Sequence, residues 1–355
     1  MKNTKHWSIC CVALTLVLLI LAGTATAVID PYFHFHGPLE SLEYPLNNQR
    51  YQNDGIVRNF EYDALITGTS MTENFKNTEL DALFGVHSVK VSYSGGTLQE
   101  LTNTVEQALK KNDDLKLVLF CIDEWFLYAG RNMILASGEY PTYLYDDNPF
   151  NDVSYLLNKD VFCSATLEVL NYTQQGNRTT SFDDYGSWTF IPIGRDHAMA
   201  QYQRREQTAE PQPLTEDAVS QITDAMRASL LRLAKEYPET QFLCYFPPYS
   251  ILNWDNHARS GTLQRQVEAF ETATKALLEA ENIQLFSFYT DFDTITNLDN
   301  YRDSVHHSQQ INSLLLQRMA AGEYLLTEDT YRQHWQDVLD FYSGYNYDSI
   351  FQETE

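Results

Sequence analysis

Basic residues are scarce in this chain. Lysine and arginine number 24 against 48 aspartates and glutamates, for a net charge of −24. Phosphate binding needs clustered Lys and Arg, so the balance argues against nucleic acid as a partner. It gives no electrostatic hold on an anionic membrane surface either, and solubility is its ordinary consequence. Cysteine is scarce too. Of five, Cys10 and Cys11 fall in an apolar N-terminal run, leaving Cys121, Cys163 and Cys244. Without a Cys-x-x-Cys pair the chain is neither a disulfide scaffold nor a structural zinc domain, although one disulfide stays open. Cys121 and Cys244 lie in apolar strand-like runs and read as buried thiols. His-Glu-x-x-His is absent, as is any internal repeat. His34 and His36 have no further ligand nearby, so no metal and no cofactor is expected.

Long apolar runs are missing from all but one place. Trp7 to Ile29 is apolar throughout and exceeds the roughly 20 residues that cross a bilayer. Lys2 and Lys5 precede it and Asp30 follows, which puts the N-terminus inside and the bulk of the chain outside the cell. Ala25-Thr26-Ala27 resembles a signal-peptide cleavage site, so removal of the run is the alternative. Its length favours a retained single-pass anchor over residues 1–29. Residues 30–60 form a juxtamembrane lead-in, aromatic and His-containing (Tyr32 to His36), kept irregular by Pro38 and Pro45.

Aromatic residues are plentiful, at 13% within 43% hydrophobic content, enough for a sizeable core. From Tyr62 onward strands and helices alternate. Strands are expected at Asp63–Thr67, Ser88–Tyr93, Leu115–Ile122, Gln241–Phe246 and Ile283–Phe288. A helix is expected from the end of the first strand to Leu83. Thr97 and Thr215 are placed to cap others, as is Ser308. The continuous apolar run Leu115–Ile122 suits a strand buried on both faces. Five strands alternating with helices imply a mainly parallel sheet in a flavodoxin-like three-layer α/β/α arrangement. Residues 124–214 lack clear periodicity and are too long for an ordinary connection, so they read as an inserted cap on a domain spanning 61–355.

Ligands of such sheets bind beyond the carboxyl ends of the strands. That edge collects Gly68-Thr69-Ser70-Met71, Ser94-Gly95-Gly96, Asp123-Glu124-Trp125 and Pro247-Pro248-Tyr249-Ser250, with the segment after the fifth strand. Ser70 at a strand-to-helix turn is an N-cap or a nucleophile. As a nucleophile it needs a base and an orienting carboxylate. Tyr301 to His307 offers them, because Asp303 and His306 are one turn apart. His307 competes with His306, and the spacing favours His306. Gly95 and Gly96 let backbone approach a reacting carbonyl. Asp123, Glu124, Asp303 and His306 could also make a metal site, against which stands the lack of any metal motif such as His-Glu-x-x-His. Tyr249, Trp254, Tyr185 and Trp188 can stack on sugars or fill the interior.

Gly-Thr-Ser-Met after the first strand and Asp-Ser-Val-His near the end resemble the first and last blocks of the SGNH (GDSL-type) hydrolase superfamily. The runs LITGTSMTENF, FPPYSILNW, NLDNYRDSVHHSQQIN and DPYFHFHGPLE are similar to its membrane-anchored members from bacterial cell-envelope and exopolysaccharide clusters. The resemblance covers most of the chain. It implies Ser70 as nucleophile, His306 as base and Asp303 as its orienter, with the amides of Ser70 and of Gly95 or Gly96 in the oxyanion hole. It implies esterase or O-acyltransferase chemistry on an acylated glycan or polysaccharide, beside a membrane acyltransferase partner. One position departs: Asp123 stands where the superfamily usually supplies an oxyanion asparagine. A glycan-binding protein that keeps the fold without turnover is the alternative, and Asp123, Tyr249 and Trp254 are candidate substrate contacts.

Overall fold

The computed structural model describes residues 2–128, 141–207 and 210–352. They form two compact units, residues 1–61 with 136–181, and residues 62–135 with 182–355. The expected cap at 124–214 is therefore divided: its middle joins the N-terminal segment, and 182–214 belongs with the sheet. Its stretches 129–140 and 208–209 lie outside the described residues.

The first unit begins with helix α1, Lys2–Ile29, which is long and apolar enough to cross a membrane. The lead-in is irregular only at first; residues Gln49–Asn59 are helical, contrary to the expectation for 30–60. The core joins Leu144, Tyr155 and Val161 to Tyr32, Tyr51 and Leu156. Asp30 organises the entry. It is buried with φ +47, and its carboxylate accepts the N–H groups of His34, Phe35 and His36 and the Tyr155 hydroxyl. Four donors satisfy one buried acceptor, which is how a desolvated carboxylate is tolerated. His34 is spent on a hydrogen bond with Asp152 at 3.0 Å, and His36 on the Gly37 carbonyl.

The second unit is α/β. Its strands are β1 Ala64–Thr67, β2 Ser88–Lys90, β3 Leu117–Cys121, β4 Gln241–Phe246, β5 Ile283–Ser287 and β6 Leu325–Leu326, in the order β2-β1-β3-β4-β5-β6. The first five are parallel and β6 pairs antiparallel with β5. The sheet is thus mixed and six-stranded, where five strands were expected. Two residues are too few to show a period, so β6 leaves no signal in the sequence. β1 and β3 are buried along their whole length. The helices fall into two groups: Leu98–Lys111, the run from Glu216 to Glu236, Leu263–Leu277 and Tyr331–Gly344 pack together, and Asn77–Phe84 packs with Gln309–Ala320. Thr97 closes a full capping box with Glu100 and Thr215 accepts the Ala218 N–H. Ser308 occupies an N-cap position without a side-chain bond.

Parallel pairing puts the loops after β1, β2, β3, β4 and β5 at one edge. Cross-ties hold two of them together. Tyr301 donates its hydroxyl to the Pro248 carbonyl at 2.7 Å, and Ser250 donates both its N–H and its hydroxyl to the Ser304 carbonyl.

Candidate active site

Ser70 follows β1 by three residues. Gly68 is required there: a Cβ on it would lie 2.5 Å from Thr72 Cγ2 and 2.8 Å from Cys121 Cβ. After Ser70 the chain makes turns and enters the helix only at Asn77, so a helix starting at Ser70 is not found. In these turns the Thr72 hydroxyl donates to the Thr69 carbonyl at 2.9 Å and meets Ser92 at 2.7 Å. Ser70 therefore sits in a turn, with its N–H lacking an acceptor among the described residues.

The loop after β5 delivers the other partners. Asp303 shapes its own turn, because Oδ1 accepts the N–H groups of Val305 at 2.9 Å and His306 at 2.8 Å. Oδ2 accepts from His306 Nδ1 at 2.8 Å. With its proton held on Nδ1, the imidazole leaves Nε2 as an acceptor, and Ser70 Oγ lies 2.8 Å from it. Ser70, His306 and Asp303 thus form one continuous relay. Burial alone would raise the Asp303 pKa. The His306 hydrogen bond and charge, with the two backbone N–H groups, outweigh it and hold the carboxyl at about 2. His307 is buried, and burial pushes its pKa down to about 4; it is His306 that meets Ser70.

Trp188 ties the two loops together. Its indole N–H donates to the Ser70 carbonyl at 3.2 Å, and its ring stands edge-on to the His306 ring at 5.5 Å. The Arg302 guanidinium lies 5.6 Å from the same ring. Asn74 fixes Trp188 in turn by accepting its backbone N–H at 3.0 Å. Trp188 comes from a stretch without periodicity, and nothing in the sequence marks this role.

Asp123 is buried behind the serine turn. It accepts the Thr69 hydroxyl at 2.5 Å and the Tyr249 hydroxyl. Burial raises its pKa, against the lowering effect of both hydroxyls and of His306. Its carboxylate is thus spent inside the fold rather than offered to a ligand. Tyr249 is buried with it, and Trp254 is buried and stacked on Tyr342 at 3.9 Å, so neither offers a face to a substrate. Glu124 is bound to Asn253 and His257. No group of three or more His, Cys, Asp or Glu among the described residues is placed to hold a metal ion.

Gly95 and Gly96 have different fates. Gly96 donates its N–H to the Tyr93 carbonyl at 2.7 Å, closing a tight turn in which Gly95 takes φ +59. Only the Gly95 N–H stays without an acceptor among the described residues. A buried lysine supports the serine turn from β2. Lys90 Nζ donates to the Glu73 carbonyl at 2.5 Å and the Phe75 carbonyl at 2.9 Å, and burial brings its pKa down to about 7. A lysine inside an apolar strand was the available signal for it.

No family model matches the chain, and no curated protein matches it. Among solved structures it is similar to a Streptococcus pneumonia protein provisionally assigned as a platelet activating factor, at 13% identity, 77% of this chain, 91% of that one and a TM-score of 0.37. It is also similar to an acetyl xylan esterase from the rumen bacterium Butyrivibrio proteoclasticus, at 10% identity, 77% of this chain, 64% of that one and a TM-score of 0.33. Both scores are too low for the likeness to carry weight, and the chemistry of the site is read from its own geometry.

Proposed function

We propose that this chain is an SGNH-like serine esterase or O-acyltransferase, held in the membrane by α1 with its bulk outside the cytoplasm, acting on acyl groups of an envelope or extracellular polysaccharide. The observation that carries this is the relay from Ser70 Oγ to His306 Nε2 and from His306 Nδ1 to Asp303, each step 2.8 Å. Ser70 Oγ attacks the ester carbonyl carbon while its proton passes to Nε2. The tetrahedral intermediate collapses, the leaving alkoxide takes that proton, and the acyl group stays on Ser70. Water or a sugar hydroxyl then gives its proton to Nε2, attacks the acyl-serine and frees the enzyme. The open N–H groups of Ser70 and Gly95 are the donors available to the oxyanion. A membrane acyltransferase would be the supplier of acyl groups in the transferase form.

A fluorophosphonate tests the reading directly, since it phosphonylates only an activated serine. Labelling of the full chain that vanishes in Ser70→Ala supports it. Absence of labelling in the wild type, with glycan binding intact in both, establishes the second reading, a non-catalytic glycan-binding protein. That second reading is favoured by one observation, the buried acid Asp123 where a side-chain amide would serve the oxyanion.

A further inference from the structure

The first unit holds a contact surface that the chemistry of Ser70 does not use. The last two turns of α1 are built into this unit. Thr26 is buried, with its hydroxyl 3.4 Å from that of Thr166. The Asp30 N–H donates to the Thr26 carbonyl at 2.8 Å, and the Tyr44 hydroxyl donates to the Ile29 carbonyl at 2.8 Å. Gly23 lies against Leu157: a Cβ on it would come 3.2 Å from Leu157 Cδ2. Cleavage after Ala27 would strip the contacts of Gly23 and Thr26 from the fold, so these speak for a helix that stays.

Before Gly23 the helix is bare. Eighteen consecutive residues, 4–21, are exposed, a length of about 27 Å at 1.5 Å per residue. The hydrocarbon layer is about 30 Å thick. The bare part therefore fills the bilayer, and its outer boundary falls where Leu157 touches the helix. Apolar side chains are exposed at that level. Leu157 is 45% exposed and Val153, one turn earlier, 53%. Phe150, three residues before Val153, is 89% exposed. The run from Phe150 to Leu157 holds a single carboxylate, Asp152, and that one is hydrogen-bonded to His34 Nε2 at 3.0 Å.

We propose that the segment Phe150–Leu157 seats in the outer face of the bilayer that α1 crosses, with Phe150, Val153 and Leu157 in lipid at the boundary of head groups and acyl chains. Apolar burial holds it there, as in interfacial helices, and the acidic chain contributes no attraction to anionic lipid. Two attachments, the span and this foot, fix the unit's tilt on the membrane. The inference rests on the anchor part of the reading above and is independent of Ser70.

The test uses the full chain in vesicles of phosphatidylcholine and phosphatidylglycerol. Cys10, Cys11 and Cys163 are changed to Ser; the remaining Cys121 and Cys244 are buried. Nitroxides are placed singly through Phe150→Cys, Val153→Cys and Leu157→Cys, with Leu16→Cys as the lipid reference. Collision with oxygen relative to a water-soluble nickel chelate reports depth. The expected ratio at all three positions is severalfold above that of free label in buffer and below that at position 16. Three water-like ratios beside a lipid-like position 16 overturn the proposal. Labels shielded from both reagents would place a second copy on this face and overturn it as well. A mature chain that begins after Ala27 removes anchor and proposal together, and leaves the fluorophosphonate result standing.

Discussion

Asp303→Asn removes one charge from the relay and keeps its shape. The asparagine oxygen can still accept the N–H groups of Val305 and His306, so the turn persists. What goes is the ionic hold that brings the carboxyl from 3.8 to about 2, in which burial is outweighed by the His306 hydrogen bond and charge and by the backbone donors. Nearly two pH units correspond to about 2 kcal/mol at 1.36 kcal/mol per unit. The side chain is 21% exposed, and solvent screening trims the figure to about 1–2 kcal/mol. A carboxyl whose folded pKa is depressed contributes stability that is fully present above its unfolded value and lost as pH falls through its folded one. Urea unfolding should therefore show the variant about 1–2 kcal/mol weaker at pH 5, with the gap closing between pH 4 and pH 2. The second readout is chemical. An amide facing Nδ1 can donate to it, which moves the ring proton to Nε2 and leaves Ser70 without an acceptor. Fluorophosphonate labelling should slow by roughly 10³–10⁴-fold, the scale of orienter loss in serine enzymes. A stability gap that does not change with pH would refute the ionic hold. Labelling within a few-fold of wild type would refute the role of His306 as an oriented base.

Trp188→Phe keeps the ring edge against His306 and removes the indole donor. The Ser70 carbonyl retains the Glu73 N–H at 3.4 Å, so the loss should sit at the low end for a hydrogen bond, about 0.5–1 kcal/mol. Labelling should slow by roughly two- to fivefold, and an unchanged rate sinks the tie between the loops. Gly68→Ala forces a methyl against Thr72, whose hydroxyl is already committed. It should cost about 1–3 kcal/mol in thermal or urea unfolding, and full stability would show that the β1 turn has room to give. Lys90 has its pKa lowered by burial from 10.5 to about 7, so the unfolded chain binds its proton more tightly. Stability of the wild type relative to Lys90→Met should then rise with pH between about 7 and 10, by at most about 1.4 kcal/mol per unit. A flat or falling difference in urea titrations at pH 7, 8 and 9 contradicts the lowered pKa of the buried Lys90 amine.

Local chemistry in the sequence determined a good deal. β-Branched and aromatic runs bounded by Gly, Pro and Asn produced five strands near their expected places. Parallel connection then dictated that Ser70 and the Asp303–His306 segment share one edge, because a sheet of this topology has its carboxyl ends on one side. Asp303 and His306 were legible as a pair, since a three-residue spacing is a local constraint. Contacts between distant segments were not. β6 is two residues long and exists only because β5 offers an edge. Spacing favoured His306 over His307; that His307 is buried while His306 lies 2.8 Å from Ser70 depends on the fold. The burial of Asp123 against Thr69 and Tyr249, the reach of Trp188 from an aperiodic stretch to the serine turn, and the joining of 141–181 to the N-terminal segment all depend on packing partners tens to hundreds of residues away. Spacing along a chain carries short-range geometry; which side chain ends up buried against which is decided only when the whole interior closes.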